Sequence, residues 1–142
     1  MRRAARALCA VAAALAPLPT APAWAQACDP ATAQSPVSFD RDIQRIFDQH
    51  CVECHGEGEP PANLVLDVGH AWSNLVDRVS MESDLLRVTP GASEKSYLWH
   101  KVRGTHLTVG GTGDRMPFDR APVPDDMIAK LTAWIGDCAP NN

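Results

Sequence analysis

The sequence predicts an all-α domain of about three to five helices joined by long loops. Apolar residues recur at i, i+3, i+4 spacing in several separate stretches, the mark of one-sided helices. Between those stretches lie segments whose Gly and Pro leave no periodicity. At the end of the first helical stretch stands Cys51-Val52-Glu53-Cys54-His55, the motif around which the rest of the chain is arranged.

Residues 1–25 have the pattern of an export signal and are expected to be removed. Arg2, Arg3 and Arg6 form a basic start, Ala7 to Ala16 is an apolar run too short to span a bilayer, and Ala23-Trp24-Ala25 is a cleavage box. Cleavage there leaves 117 of the 142 residues, one domain's worth. Residues 26–37 are expected to form an irregular arm and 38–142 the domain itself. Three of the 13 Lys and Arg lie in the leader and all 17 Asp and Glu lie after it, so the remaining chain carries a formal −7. That charge disfavours nucleic acid and anionic membrane surfaces and suits a partner with a basic docking patch. Stable membrane insertion after cleavage is not expected. A periplasmic location is.

Ser38 is placed to cap the first helix, with Asp40 and Asp42 at the positive end of its dipole and Ile43, Ile46 and Phe47 on one face. Residues 56–63 (GEGEPPAN) are loop, and Leu64-Val65-Leu66 is a brief apolar run. Ala71 to Val79 predicts a short helix with Trp72, Leu75, Val76 and Val79 on one side. Leu85 to Val88 is a buried extended segment, stopped by the turn Thr89-Pro90-Gly91. Ser93 is expected to cap a further helix that turns Tyr97, Leu98 and Val102 inward and ends at Gly104. Thr105 to Gly113, with three Gly, predicts a mobile loop. The last helix starts near Pro124, buries Ile128, Leu131, Trp134 and Ile135, and ends at Gly136.

Cys-x-x-Cys-His is the attachment signature of a c-type haem. Cys51 and Cys54 can add to the two porphyrin vinyl groups as thioethers. His55 then rises from the same turn to bind the iron from the proximal side. The sparse aromatic content agrees, since a domain this small lacks core area that a porphyrin would supply. The remaining thiols, Cys28 and Cys138, lie near the two ends of the exported chain, and an oxidising compartment allows them to form a disulfide. Two further readings of Cys51, Cys54 and His55 are a zinc site and a redox dithiol. Zinc wants a second ligand pair, and a thioredoxin-like dithiol wants a βαβ context; the chain has neither.

The candidates for the second axial ligand are Met81, Met116, Met127, His50, His70, His100 and His106. His50 adjoins Cys51 on the proximal side, and Met127 sits within the last helix. Met116 follows a Gly-rich loop and precedes Pro117, which biases it toward extended backbone and suits a strap across a porphyrin. A thioether there would raise the reduction potential relative to a second imidazole. Met116 is the leading distal candidate, with His106 and His100 as alternatives and a gap-filling core role as the ordinary fate of a methionine. Lys101, Arg103 and Arg115 are either partners for propionates or plain surface charges.

With these pieces in order, the chain resembles the class I cytochrome c family, in particular bacterial periplasmic domains of the planctomycete type. The resemblance rests on Ile46-Phe47, Cys51 to Gly56, Val88 to Gly91, Ser96 to Leu98, Met116-Pro117 and Trp134-Ile135, and covers about residues 38–137. It implies an all-helical fold wrapped around one covalent haem c, with Cys51 and Cys54 as thioether attachments, His55 proximal and Met116 distal. Phe118 stands where that pattern commonly has a second proline, and the Cys28–Cys138 pair lies outside it.

The function expected is transfer of single electrons between redox proteins. A different class of function is a haem enzyme, or the haem subunit of a periplasmic oxidoreductase, with an open or labile distal site beside the 110–113 glycines. No acid–base constellation supports it, so a carrier is favoured over a catalyst.

Overall fold

A computed structural model describes residues 28–142, so the leader and its cleavage box lie outside the described residues. Among the described residues the architecture is all-α. A π-helical turn, Phe39–Ile43, runs into α1 (Gln44–His50), followed by α2 (Val52–His55), α3 (Ala71–Leu75), α4 (Tyr97–Arg103) and α5 (Asp125–Gly136). Short 3-10 turns at Pro61–Asn63, Ser93–Lys95 and His106–Val109 punctuate the long connections. No helix among the described residues is long and apolar enough to cross a membrane.

The start of the first helix follows from its sequence. Ser38 Oγ accepts from Arg41 N at 3.3 Å, and Asp42 Oδ2 accepts from Ser38 N at 3.1 Å, a reciprocal cap on the exposed amides. Phe39, Ile43, Ile46 and Phe47 then face the core. Opposite them α5 buries Ile128, Leu131, Trp134 and Ile135. The Phe39 and Trp134 rings meet at 5.3 Å between centroids, and Phe39 and Phe47 at 6.3 Å. Apolar area removed from water at this seam is the main force closing the domain.

The N-terminal arm is tied down at several points. Cys28 and Cys138 form a disulfide across 110 residues. Ser35 Oγ donates to Asp137 Oδ2 at 2.7 Å, and Ser38 Oγ donates to the Asn142 carbonyl at 2.7 Å.

Three expectations are corrected. The helix expected over 71–79 stops at Leu75, because Val76 turns extended and Asp77 takes φ 55°; Val79 is 70% exposed. Val76 and Val88 instead form an isolated bridge, as do Leu86 and Ser96. Ser93 does not cap α4. It opens a separate 3-10 turn, Ser93–Lys95, and the chain is extended at Ser96 (φ −104°, ψ 117°), so α4 begins at Tyr97. Segment 105–113 is not a free loop: it holds the His106–Val109 turn and is bonded from within, as described below. The last helix runs as expected, with Pro124 one residue before its start and Gly136 as its last residue. Gly104 does end α4 as expected, at φ 74°, a conformation that favours a residue without Cβ.

Candidate functional site

Helix α1 delivers the chain to Cys51, where the backbone leaves helical geometry (φ −129°, ψ −42°) before α2 begins. Cys54 N and His55 N both donate to the Cys51 carbonyl, at 3.1 and 2.9 Å. One tight turn therefore presents both thiols and the imidazole. Cys51 is half-buried, Cys54 is exposed, and both are free thiols. Burial pushes the Cys51 thiol up to about 12, with the neighbouring Cys54 adding to the effect.

The apolar run at 64–66 returns to clasp the motif. Leu66 N donates to the His55 carbonyl at 2.7 Å, and the Leu64 carbonyl lies 3.2 Å from His55 Nδ1. A carbonyl only accepts, so Nδ1 carries the proton and Nε2 keeps its lone pair. That is the tautomer a metal-binding histidine needs. Burial lowers the pKa of His55, which favours the neutral ring; the Leu64 bond and the distant charge of Glu82 oppose this.

His55 opens on a cleft with two lobes. The inner lobe, about 110 Å³, is walled by Ala62, Leu64, Leu66, Leu75, Leu98 and Val102, with Glu82, Arg87, Tyr97 and Lys101 as its polar members. The outer lobe, about 220 Å³, reaches the surface past His50, Glu53, Cys54, Pro117, Phe118 and Arg120. Cys51, His55, Pro61 and Met116 line both lobes and so mark their junction. Residues 55 and 116, far apart in sequence, thus share one apolar cleft with the thiol of Cys51.

The other axial candidates are placed elsewhere. His50 lines the outer lobe only. His70 and Met81 are exposed, and Met127, within α5, packs against the core. His100 has both ring nitrogens engaged, Nε2 with the Glu94 carbonyl at 2.9 Å and Nδ1 with Thr105 Oγ1 at 2.8 Å. His106 is 3% exposed, gives Nε2–H to the Gly113 carbonyl at 2.9 Å, and lines neither lobe. His100 and His106 are therefore structural ties rather than cleft residues.

Those ties belong to the strap that carries Met116. Met116 N donates to the Lys101 carbonyl at 3.0 Å, and Lys101 Nζ donates to the Thr112 carbonyl at 2.6 Å. Lys101 is 6% exposed, and its ammonium is matched by Glu82 Oε2 at 2.9 Å, which also accepts from Tyr97 Oη at 3.3 Å. A charge this buried is tolerated because it is paired and hydrogen-bonded. Gly111 is required where the strap crosses Tyr97: a Cβ there would lie 2.6 Å from the Tyr97 ring and 2.8 Å from the His106 carbonyl. The Met116–Pro117 peptide is cis. At the cleft mouth Arg120 Nη2 meets Glu53 Oε1 at 2.7 Å, joining the strap to α2.

The charged residues singled out from sequence divide. Lys101 is a cleft residue, though already paired with Glu82. Arg103 lies over the Trp99 ring at 4.4 Å, and Arg115 donates to the carbonyls of Met116 and Arg120; neither lines the cleft. Sequence reasoning turned Tyr97 inward but gave it no part in a site, and it did not single out Glu82, Arg87 or the Glu53–Arg120 pair. Only Arg87 left a signal, as a lone cation inside the apolar run Leu85-Leu86-Arg87-Val88.

Comparison of the chain with known protein families, with curated proteins and with solved structures found no match.

Proposed function

We propose that the chain is an exported monohaem c-type cytochrome of the class I, planctomycete-like type, carrying single electrons between redox proteins in the periplasm. The observation that carries this reading is the junction of the cleft. There Cys51, His55 and Met116 meet: a thiol of the attachment motif, an imidazole of fixed tautomer and a soft thioether. The donor set fits a haem better than zinc, since no group of three or more His, Cys, Asp or Glu able to hold a metal ion is found among the described residues.

A bound haem c would supply the one-electron couple, its iron alternating between ferric and ferrous. The protein's part is attachment, ligation and shielding. Cys51 and Cys54 would each hold the haem through a thioether, sulfur going to one vinyl carbon and the thiol hydrogen to the other. His55 would bind the iron through its Nε2 lone pair, and the bond from Nδ1–H to Leu64 holds the ring in place and raises its basicity. Met116 would offer its thioether as the second protein ligand to the iron. Leu64, Leu66, Leu75, Leu98 and Val102 keep bulk water from the inner lobe. The formal −7 of the exported chain favours partners that present a basic docking patch.

The test is co-production with cytochrome c maturation machinery, a pyridine haemochrome assay, and oxidised and reduced spectra beside Met116→Ala. One covalent haem per chain is expected, low-spin, with a weak red band from iron–thioether bonding that vanishes in the variant. Protein without covalent haem defeats the whole reading, and an unchanged Met116→Ala spectrum defeats the distal assignment.

A further inference from the structure

The inner lobe carries more positive charge than its own residues neutralise. Glu82 is its only carboxylate and is committed to Lys101 at 2.9 Å and to Tyr97 at 3.3 Å. Arg87 remains. Its guanidinium donates from Nη1 to the Asn74 carbonyl at 2.9 Å, and from Nη2 to the carbonyls of Ala62 and Asn63 at 2.7 and 3.4 Å. These are neutral acceptors. No carboxylate lies within 4 Å of it among the described residues, and its Nε–H has no acceptor there. The lobe thus holds two cations against one anion in a chain whose exported part is strongly acidic.

A half-buried cation without a counter-ion is costly, and the cost shows. Burial, and after it the like charge of Arg78, lower the pKa of Arg87. The side chain stays because three main-chain carbonyls hold it against the wall, two of them from Ala62 and Asn63 in left-handed backbone (φ 55° and 49°). The guanidinium is therefore fixed before any ligand arrives, with donors left over and an apolar surface beside it. The two donors left over, Nε–H and one Nη1–H, can each give a charge-assisted hydrogen bond to a carboxylate.

We infer that Arg87 is a carboxylate-binding residue of the cleft, and that the group it receives is a propionate of the haem. The inference rests on the functional reading above. Arg87 would neutralise one propionate within the low-dielectric lobe and orient the porphyrin through a contact distinct from the thioethers and axial ligands. Because its other donors already hold the 62–63 turn, and the next carbonyl, Leu64, orients His55, the same side chain links the propionate end of the cleft to the proximal ligand.

Resonance Raman spectroscopy of the full exported chain loaded with haem tests this through the propionate-bending band, which responds to hydrogen bonding at that carboxylate. In Arg87→Gln the band is expected to shift, the reduction potential to fall, and Arg87→Lys to recover part of both. A mere cross-link between carbonyls would lower the melting temperature in both variants and leave the band and the potential at wild-type values, which overturns the proposal. Should Arg87→Gln not mature, wild-type protein in H₂O and D₂O suffices: N–H···O contact predicts an isotope shift of the band, and no shift overturns the proposal. Wild-type protein lacking covalent haem would defeat the functional reading instead, a separate result.

Discussion

Lys101 holds Met116 twice over: its carbonyl accepts the Met116 amide at 3.0 Å, and its ammonium reaches back to the Thr112 carbonyl at 2.6 Å. One residue of α4 thus holds the strap at two points, Thr112 and Met116, with Glu82 neutralising the charge at 2.9 Å. Lys101→Met keeps the main-chain bond and removes the other. It leaves the half-buried Glu82 without its cation, a loss on the order of 1–3 kcal/mol for a charge-assisted hydrogen bond partly screened by solvent. Imidazole should then bind the ferric haem protein at least 10-fold faster than in wild type, by stopped-flow absorbance. Equal rates would show that the strap is held by other means.

The two motif thiols differ in environment. Cys54 is exposed, whereas burial raises the Cys51 thiol to about 12. The thiolate is the nucleophile. In haem-free protein at pH 8, iodoacetamide should therefore modify Cys54 well before Cys51, read by peptide mass spectrometry over time. Cys51 reacting first, or both at one rate, would contradict the buried placement.

The Cys28–Cys138 bond closes a loop of 110 residues. Chain-entropy arguments assign such a bond on the order of 4–5 kcal/mol. The double variant Cys28→Ser with Cys138→Ser should lose a large part of that in denaturant unfolding of the haem protein. A change below about 1 kcal/mol would mean that the Ser35–Asp137 and Ser38–Asn142 contacts hold the ends unaided.

Asp42 gives a pH signature. The Arg41 guanidinium at 2.7 Å, then the Ser38 amide, hold its carboxyl below the ordinary 3.8, and Lys130 at 3.6 Å adds to this. A depressed folded-state pKa contributes stability that is present above the unfolded value near 4 and is lost as pH falls through the folded value. Asp42→Asn keeps an oxygen that can accept from Ser38 N and removes the charge, so at pH 7 it should cost a few tenths of a kcal/mol, the scale of an exposed ion pair. The gap from wild type should close toward pH 2 in chemical denaturation. A gap constant with pH would remove the charge from the explanation.

The parts of this protein that could be read from sequence are those fixed by local chemistry. Ser38, Asp40 and Asp42 announce a helix start, Ile128 to Ile135 an apolar stripe, and Cys51 to His55 a turn with three donors. What escaped depends on long-range hydrogen bonding. Val79 follows an apolar period and is nevertheless exposed, because Asp77 turns the chain so that Val76 can bridge to Val88. The glycines of 105–113 suggested freedom, yet Gly111 is what lets the strap lie against Tyr97. Lys101 looked like a surface charge, and only its partner Glu82, nineteen residues earlier, makes its burial tolerable. Arg87 needed the carbonyls of α3 and of the 61–63 turn before its position had meaning.

The pairing of the four described cysteines sets a kinetic problem during oxidative folding. The bond present in the fold joins thiols 110 residues apart, while the two thiols left free are separated only by Val52 and Glu53. Chance encounter favours short closures over long ones, so a newly made chain meets the wrong partner first. Reaching the native arrangement then requires thiol–disulfide exchange, in which a Cys51–Cys54 bond is opened by an external thiolate while Cys28 and Cys138 come together. The Cys51–Cys54 pair is thus open to capture by its own oxidation, and the supply of reductant during folding governs the yield of correctly paired protein.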